Sequence, residues 1–194
     1  MMKKIYYVLS KSLVEKNIIE DKNRELYEYA IKVFLRFIIN ILSVSIIGLL
    51  FNLYIESIIM TITIILIRKF SGGVHLKKLK YCYINSLGIA AISLLIIKFI
   101  EPYRCESYIF IFSAISIIII SIFSPIENQN ALCTSNEKKV FKILSIVFSI
   151  ILFIMMTLLI KFKTIFLSIG LGINISSILL VIGLIKIRIL QLLN

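Results

Sequence analysis

The chain has 194 residues, of which 60% are hydrophobic and 16% are charged, and its mean hydropathy is +1.03. Because soluble domains are about 45–50% apolar, this composition indicates a membrane protein and excludes disordered, collagen-like and disulfide-rich secreted chains. The formal net charge of +12 fits basic loops that face anionic lipid. We expect no nucleic-acid partner, since the chain contains no soluble basic domain that would bind one.

The first 36 residues are polar enough to stay outside the bilayer core, and they carry two apolar stripes at helical spacing. The first stripe runs from Ile5 to Leu13, and the second runs from Leu26 to Phe37. A break is expected at Asp21–Asn23, between the two stripes. Both stripes therefore predict short amphipathic helices that lie on the membrane surface.

Six apolar blocks follow, and each is a candidate membrane span. They cover residues 37–54, 55–67, 84–100, 108–123, 143–160 and 164–185. The second block is too short to cross alone at about 1.5 Å per residue, so the first two blocks can form a tight hairpin that crosses only in part. The sequence predicts an all-α, polytopic membrane bundle of about six transmembrane helices with amphipathic N-terminal helices. We expect one integral-membrane domain over 1–194, made of the interfacial segment 1–36 and the bundle 37–194.

The distribution of basic residues predicts how these spans are oriented. Of the 22 Lys and Arg residues, 18 lie in residues 1–36, 68–83, 124–142 and 186–194, and the other four lie in residues 98–107 and 161–163. Since cytoplasmic loops are enriched in Lys and Arg, both termini are expected in the cytoplasm of a multi-pass protein of the cell membrane. Cys82 and Cys133 then lie on the reducing side and Cys105 on the outer side, which predicts no disulfide framework.

The loop between the second and third blocks carries the chemically distinctive residues. It reads Arg68-Lys69-Phe70-Ser71-Gly72-Gly73-Val74-His75, with the single histidine and the single Gly-Gly pair of the chain, and Cys82 follows seven residues later. Each feature also has a structural interpretation. Arg68 can anchor the end of a span, Gly72 and Gly73 can form a turn with positive φ, and the histidine and cysteine can be packing residues. Their convergence in one loop on the reducing side favours a functional site.

His75 and Cys82 are the two residues that can carry catalysis. A cysteine nucleophile needs a thiolate and a base that later returns a proton, and imidazole changes protonation near neutral pH. Positive charge around the thiol favours its ionised form, and it comes from Lys77, Lys78 and Lys80. On one straight helix the pair would lie roughly 10.5 Å apart along the axis, so the Gly72-Gly73 turn is expected to bend His75 back toward Cys82. Backbone N–H groups of this turn can hold a developing oxyanion.

This arrangement resembles one family of membrane cysteine endopeptidases. The pattern Arg-x3-Gly-Gly-x-His-x6-Cys at positions 68–82 is similar to the motif of the accessory gene regulator B (AgrB) family. The chain length, the polar N-terminal segment, the six spans and the place of the motif after the second span also match. A weaker match lies in the 124–142 loop, where Ala131 stands at the usual proline; it consists of Pro125, Asn130, Leu132, Glu137 and Lys139.

The resemblance implies that the chain processes a small AgrD-like precursor peptide in quorum sensing. Cys82 would attack the peptide bond before an acidic C-terminal tail and form a thioester, which an internal Cys or Ser of the precursor would resolve into a thiolactone or lactone. His75 would act as the base, with supporting roles for Arg68, Gly72 and Gly73. The basic residues Lys77, Lys78 and Lys80 would suit the acidic tail. No metal or other cofactor is implied, and a homodimer within membrane lipid is plausible for this family.

Other functions predict different residues or different mutant behaviour. A small membrane transporter or scaffold would use the Gly-Gly turn and the basic loop only for topology, and it predicts normal function after Cys82→Ala. Zinc proteases of the HExxH type need two histidines, intramembrane carboxylate enzymes need several Asp where the chain has only Asp21, and a Gly-x-Ser-x-Gly nucleophile is absent from the sequence. A third residue that orients His75 stays open among Asn85, Ser86, Glu127 and Asn130.

Overall fold

The computed structural model describes residues 2–16, 18–72, 79–103, 105–126 and 134–192. These residues form seven α-helices: α1 (Met2–Glu15), α2 (Arg24–Leu50), α3 (Tyr54–Ser71), α4 (Leu79–Ile100), α5 (Glu106–Phe123), α6 (Ser135–Leu158) and α7 (Lys163–Leu192). The described ranges contain no strand, and the all-α prediction is confirmed. The chain divides into two compact units, residues 1–43 and residues 44–194.

The N-terminal unit contains the break that the two apolar stripes predict. α1 ends at Glu15, and the chain forms a 3-10 turn at Asp21–Asn23 before α2 begins. Arg24 joins the two segments, because its guanidinium lies 5.1 Å from the centre of the Tyr7 ring and 3.8 Å from the carboxylate of Asp21. The cation–π contact joins the start of α2 to α1, and the ion pair joins it to the 3-10 turn.

The second stripe does not form a separate short helix, which corrects one part of the prediction. α2 runs without interruption from Arg24 to Leu50 and joins the second stripe to the first apolar block. This stretch contains no proline, and its single glycine, Gly48, lies near the end, so no residue in the stretch breaks the helix. At about 1.5 Å per residue, the 27 residues of α2 extend over roughly 40 Å.

A tight turn joins α2 to α3, as the predicted hairpin requires. Leu53 donates its backbone N–H to the carbonyl of Gly48 at 2.8 Å. Asn52 has a φ of 58°, a left-handed conformation that asparagine adopts more readily than most residues. A Cβ at Gly48 would lie 2.3 Å from Oγ of Ser57, so only glycine fits against the first turn of α3. Beyond this turn, α3 packs against α4, α6 and α7.

Five helices in the described ranges are long and apolar enough to cross a membrane. These spans are Asp21–Leu50, Tyr83–Ile100, Glu106–Phe123, Ser135–Leu158 and Lys163–Ile189. The protein is therefore a multi-pass membrane bundle. α3 contains the short second block and does not meet the same standard, because its 18 residues include Glu56, Arg68 and Lys69.

α7 is the central helix of the larger unit. Of its span, 61% is buried inside the protein, against 17% to 22% for the other four spans, and it packs against α3, α4, α5 and α6. Small residues permit this close packing. A Cβ at Gly170 would lie 2.5 Å from Ile109 on α5, and a Cβ at Gly172 would lie 2.7 Å from Thr63 on α3.

Hydroxyl and amide groups join α5 to α7 inside this core. Ser116 donates to Oδ1 of Asn174 at 2.8 Å, and Oγ of Ser177 lies 2.9 Å from Oγ of Ser116. Lipid tails offer no hydrogen-bond partners, so such bonds help to fix the register of neighbouring membrane helices.

Lys163 brings together the two turns that are predicted to face away from the cytoplasm. Its Nζ donates to the carbonyl of Tyr103 at 2.8 Å and lies 3.0 Å from the carboxylate of Glu106. The α4–α5 turn and the α6–α7 turn therefore lie at the same end of the bundle, as the sequence groups them.

Candidate functional site

The site begins where α3 ends, at Ser71 and Gly72. The N–H of Gly72 closes the last turn of α3 on the carbonyl of Arg68 at 3.1 Å, and Gly72 then leaves the helix with φ +79° and ψ −158°. Residues with a side chain rarely adopt this backbone conformation, whereas glycine adopts it at little cost. The structural interpretation of the Gly-Gly pair was a turn with positive φ, and Gly72 has such a φ, whereas Gly73 lies outside the described residues.

The segment that follows α5 holds this end of α3. Ile126 donates its backbone N–H to the carbonyl of Ser71 at 3.0 Å, which gives a partner to one of the carbonyls that a helix C-terminus leaves unpaired. The same residue approaches Gly72 closely, because a Cβ on Gly72 would lie 2.9 Å from the carbonyl oxygen of Ile126. Glycine is therefore required at position 72 both for its φ and for this approach.

The side chain of Phe70 attaches the last turn of α3 to α6. Its ring stacks on the ring of Phe148 with centroids 5.1 Å apart and planes 2° from parallel, and it lies 6.4 Å from the ring of Phe141 at 41°. Both distances are within the range in which aromatic rings attract each other. Since Phe141 and Phe148 are seven residues apart, they share one face of α6, and that face contacts the end of α3.

A pair of buried serines attaches the segment after α5 to the same face of α6. Ser124 caps the end of α5 and is extended, as expected for the residue before a proline. Its Oγ lies 2.6 Å from Oγ of Ser145, and Ser145 lies 2.9 Å from the carbonyl of Lys142. A hydroxyl has a single proton, so if Ser145 donates to Lys142, Ser124 donates to Ser145.

We call this set of contacts the α3 junction. It consists of Phe70, Ser71 and Gly72 at the end of α3, Ser124 and Ile126 after α5, and Phe141, Ser145 and Phe148 on α6. The sequence interpretation missed all of these residues except Gly72. One signal was available: Phe141, Ser145 and Phe148 follow the spacing of one helix face, directly after a loop that was already of interest.

The structure places part of the predicted site at the junction and part in α4. Arg68 is half-buried in the last turn of α3, and Gly72 ends that helix. Lys80 and Cys82 lie in α4, which is described there by its backbone alone. Gly73, His75, Lys77 and Lys78 lie outside the described residues, so the predicted approach of His75 to Cys82 stays a prediction.

The charge next to Cys82 in the sequence suits a thiolate. Lys80 carries a formal positive charge two residues before the cysteine, and positive charge near a thiol favours its ionised form.

The second region of family resemblance contains a helix cap. Glu137 accepts the backbone N–H of Thr134 at 2.7 Å, while Thr134 Oγ1 accepts the N–H of Glu137 at 3.4 Å. This reciprocal pair is a capping box that begins α6. Glu137 therefore has a structural role in this chain, and Asn130, Ala131 and Leu132 lie outside the described residues.

The candidates for a third catalytic residue stay open. Asn85 is exposed and Ser86 is half-buried, and both lie one turn after Cys82 in α4. Glu127 and Asn130 lie outside the described residues. Of the cysteines, Cys105 is free and half-buried before α5, whereas Cys133 lies outside the described residues.

Comparisons with known proteins identify the family of this chain. The profile of the family "Accessory gene regulator B" matches residues 2–180. The chain is 28% identical over 144 residues to an AgrB-like protein of Clostridium perfringens strain SM101 (type A), which covers 72% of this chain and 67% of the relative. It is also 28% identical over 125 residues to AgrB-like protein 2 of Clostridium perfringens strain 13 (type A), which covers 62% of this chain and 58% of the relative.

Both relatives carry their names provisionally, and no solved structure matches the chain significantly. The family profile covers all seven helices except the end of α7, including the end of α3, the start of α4 and the whole of α6. On this match, the chain belongs to the accessory gene regulator B family.

Proposed function

We propose that this protein is a membrane cysteine endopeptidase that cleaves the C-terminal tail of a small AgrD-like precursor and promotes its cyclisation into a quorum-sensing signal. The observation that carries the proposal is the pattern Arg68-x3-Gly72-Gly73-x-His75-x6-Cys82 in a chain of this family. One structural fact supports it: α3 ends at Gly72 and Cys82 lies in α4, so the segment that contains His75 connects two helices.

The first chemical step is acyl transfer to the enzyme. The thiolate of Cys82 attacks the carbonyl carbon of the peptide bond before the tail, and an S–C bond forms. The tetrahedral intermediate collapses, the C–N bond breaks, and the nitrogen of the tail takes a proton from the imidazolium of His75. The products are a thioester on Cys82 and a tail with a new amino terminus.

The second step closes the ring. The internal Cys or Ser of the precursor gives its proton to His75 and attacks the thioester carbonyl, so a new S–C or O–C bond forms while the bond to Cys82 breaks. Exchange of one thioester for another is nearly level in free energy, whereas hydrolysis would waste the energy of the thioester. Since the first step is uphill, we expect removal of the tail or of the cyclic product to drive the reaction forward.

The proposed orientation puts this chemistry on the cytoplasmic face. The segments 68–83 and 124–142 are both basic, and the contacts between Ser71 and Ile126 lie where these segments meet α3 and α5. Lys77, Lys78 and Lys80 would attract the acidic tail. The family resemblance also implies two further partners, which are membrane lipid and a second copy of the chain.

Labelling with a membrane-impermeant maleimide checks the orientation. In intact cells Cys105 is expected to react, because its side chain is partly exposed and it lies near the Lys163–Tyr103 contact, at the end of the bundle that is predicted to face outward. Cys82 and Cys133 are expected to stay unlabelled. Opening the cells should expose Cys82 and Cys133 to the reagent. Labelling of Cys82 from outside would place the thiol on the wrong side and contradict the proposal.

A modified precursor tests the mechanism directly. If the internal Cys or Ser of an AgrD-like precursor is replaced by Ala, the first step can occur and the second cannot. We expect the purified protein in lipid vesicles to release the tail once and to retain the rest of the peptide as an adduct. Intact-mass measurement should show the added mass on the enzyme, and hydroxylamine should remove it because it cleaves thioesters.

The adduct must depend on one thiol. It should persist in the Cys105→Ala and Cys133→Ala variants and should be absent when Cys82 is replaced. If the parent protein releases the tail from this precursor at the normal rate and leaves no adduct, water is the acceptor. The protein would then be a hydrolase without a role in cyclisation. No release by the parent protein from any AgrD-like precursor would favour the transporter or scaffold function.

A further inference from the structure

We propose that Ser124, Ser145 and Phe148 are positioning residues, which hold the end of α3 in the orientation that the reaction at Cys82 requires. The inference rests on the proposed function for the reaction itself. The contacts that carry it are those of the α3 junction, and they are independent of any substrate.

The end of α3 needs such support because a helix terminus lacks internal partners. The last four carbonyls of a helix have no hydrogen bond within it, and terminal turns fray more readily than the interior. Here the carbonyl of Ser71 is paired with the N–H of Ile126 at 3.0 Å. The direction in which the chain leaves Gly72 therefore depends on where Ile126 lies.

Ile126 is in turn connected to α6 through Ser124, which lies two residues earlier in the chain. The two serine oxygens of Ser124 and Ser145 are 2.6 Å apart and both residues are buried. An interhelical hydrogen bond away from water is retained, because breaking it leaves a polar group without a partner. The segment 124–126 thus joins α6 to α3 by one side-chain bond and one backbone bond.

Phe148 supplies the second connection between α6 and α3. Its ring stacks on Phe70 at 5.1 Å, and Phe70 directly precedes Ser71. The backbone bond sets the position of the last turn of α3, while the ring contact limits its rotation about the helix axis. Both connections start from one face of α6, since Ser145 and Phe148 are three residues apart.

Loss of either connection should alter catalysis more than folding. The packed core lies around α7, with buried residues such as Met60, Phe166 and Ile173, and Phe148 is only half-buried. Neither Ser145 nor Phe148 belongs to the pattern that ends at Cys82. Their replacement should therefore lower kcat through misplacement of catalytic groups and leave the KM for the precursor unchanged.

The first experiment compares Ser145→Ala with Ser149→Ala. Both serines are buried on α6 and bond to a carbonyl of their own helix, but only Ser145 also bonds to Ser124. We expect Ser145→Ala to lower kcat for tail release about two- to tenfold, the range of one buried hydrogen bond, with an unchanged KM. Ser149→Ala should stay near the parent value. Equal kcat values for the two variants would overturn the role of Ser145.

A double-variant cycle identifies the partner. If the bond between the two hydroxyls carries the effect, Ser124→Ala combined with Ser145→Ala should be no slower than the slower single variant. Multiplication of the two single effects would show that the serines act separately and would contradict the proposal.

The second experiment compares Phe148→Leu with Phe153→Leu. Phe153 is a matched control because it also pairs with a ring, that of Phe110 at 4.9 Å, but this ring belongs to α5 and not to α3. Phe148→Leu should lower kcat and Phe153→Leu should not, while thermal unfolding in detergent changes similarly for both. The opposite ranking of the two kcat values would overturn the role of Phe148.

A third measurement does not depend on a precursor. In a Cys105→Ala, Cys133→Ala background, the rate at which iodoacetamide alkylates Cys82 can be followed against pH. Displacement of the base should move the midpoint of this profile to higher pH in Ser145→Ala and Phe148→Leu and leave it unchanged in Ser149→Ala. If the parent cleaves no AgrD-like precursor, the proposed function fails, and this profile alone still decides whether the junction positions the groups around Cys82. Unchanged midpoints in both variants would contradict the inference.

Discussion

Cys82→Ala is expected to abolish release of the tail from an AgrD-like precursor. Alanine has no nucleophile, so neither the thioester nor its cyclic product can form. Tail release falls to the level of vesicles without protein, and no adduct is seen in the intact mass. The measurement is mass spectrometry of the products after incubation of the precursor with protein in lipid vesicles.

Three variants serve as controls for this result. Cys105→Ala and Cys133→Ala should behave like the parent, because the proposed reaction uses neither thiol. Cys82→Ser is the stricter comparison, since an alcohol without a suited base is a weak nucleophile and nearly all of the rate should be lost. If Cys82→Ala still releases the tail at the parent rate, the peptidase mechanism is wrong and the transporter or scaffold function replaces it.

His75→Ala is expected to slow tail release by about 10²- to 10⁴-fold, the usual contribution of general acid–base catalysis. The protein should still insert into the membrane and accumulate to the parent level, because the packed core is formed mainly by side chains within the helices, whereas position 75 lies between α3 and α4 in the sequence. Raising the pH should restore part of the rate, since a larger fraction of the Cys82 thiol then ionises without a base.

The pH profile separates catalysis from structure at this position. If His75 is the base that accepts the thiol proton, its loss shifts the pH–rate profile of the variant to higher pH than that of the parent. If His75 is a packing residue, its loss lowers the yield of folded protein at every pH. Near-normal processing by His75→Ala would show that the histidine has a structural role and is not the base in the proposed mechanism.

The periodicity of the apolar blocks was sufficient to predict most of the helices. The blocks 84–100 and 108–123 lie within α4 and α5, because long apolar segments in a membrane can only satisfy their backbone groups as helices. The first span was predicted with the wrong start. The stripe from Leu26 to Phe37 is amphipathic, but amphipathicity does not end a helix, and no breaker separates it from the apolar block that follows in α2.

The packing partners of these helices could not be predicted from one sequence. The mean hydropathy of the α7 span lies within the range of the other spans, yet α7 is much more buried than they are. Only its small residues, such as Gly170 and Gly172, indicated close contacts. For the candidate site, the motif selected Gly72 and Cys82 as candidates because their chemistry is distinctive. Phe70, Ser124 and Ser145 look like ordinary membrane residues, and their place in the α3 junction depends on contacts between segments that are distant in sequence.

The central position of α7 has a consequence for biogenesis. α3 and α5 leave the ribosome before the helix against which both of them pack, so their buried hydroxyls, among them Thr63 and Ser116, first meet lipid or an insertion factor instead of α7. Synthesis proceeds from the N-terminus onward, so the contacts of α3 and α5 with α6 can form first, whereas the surfaces that pack against α7 are covered only after residues 163–192 have been made.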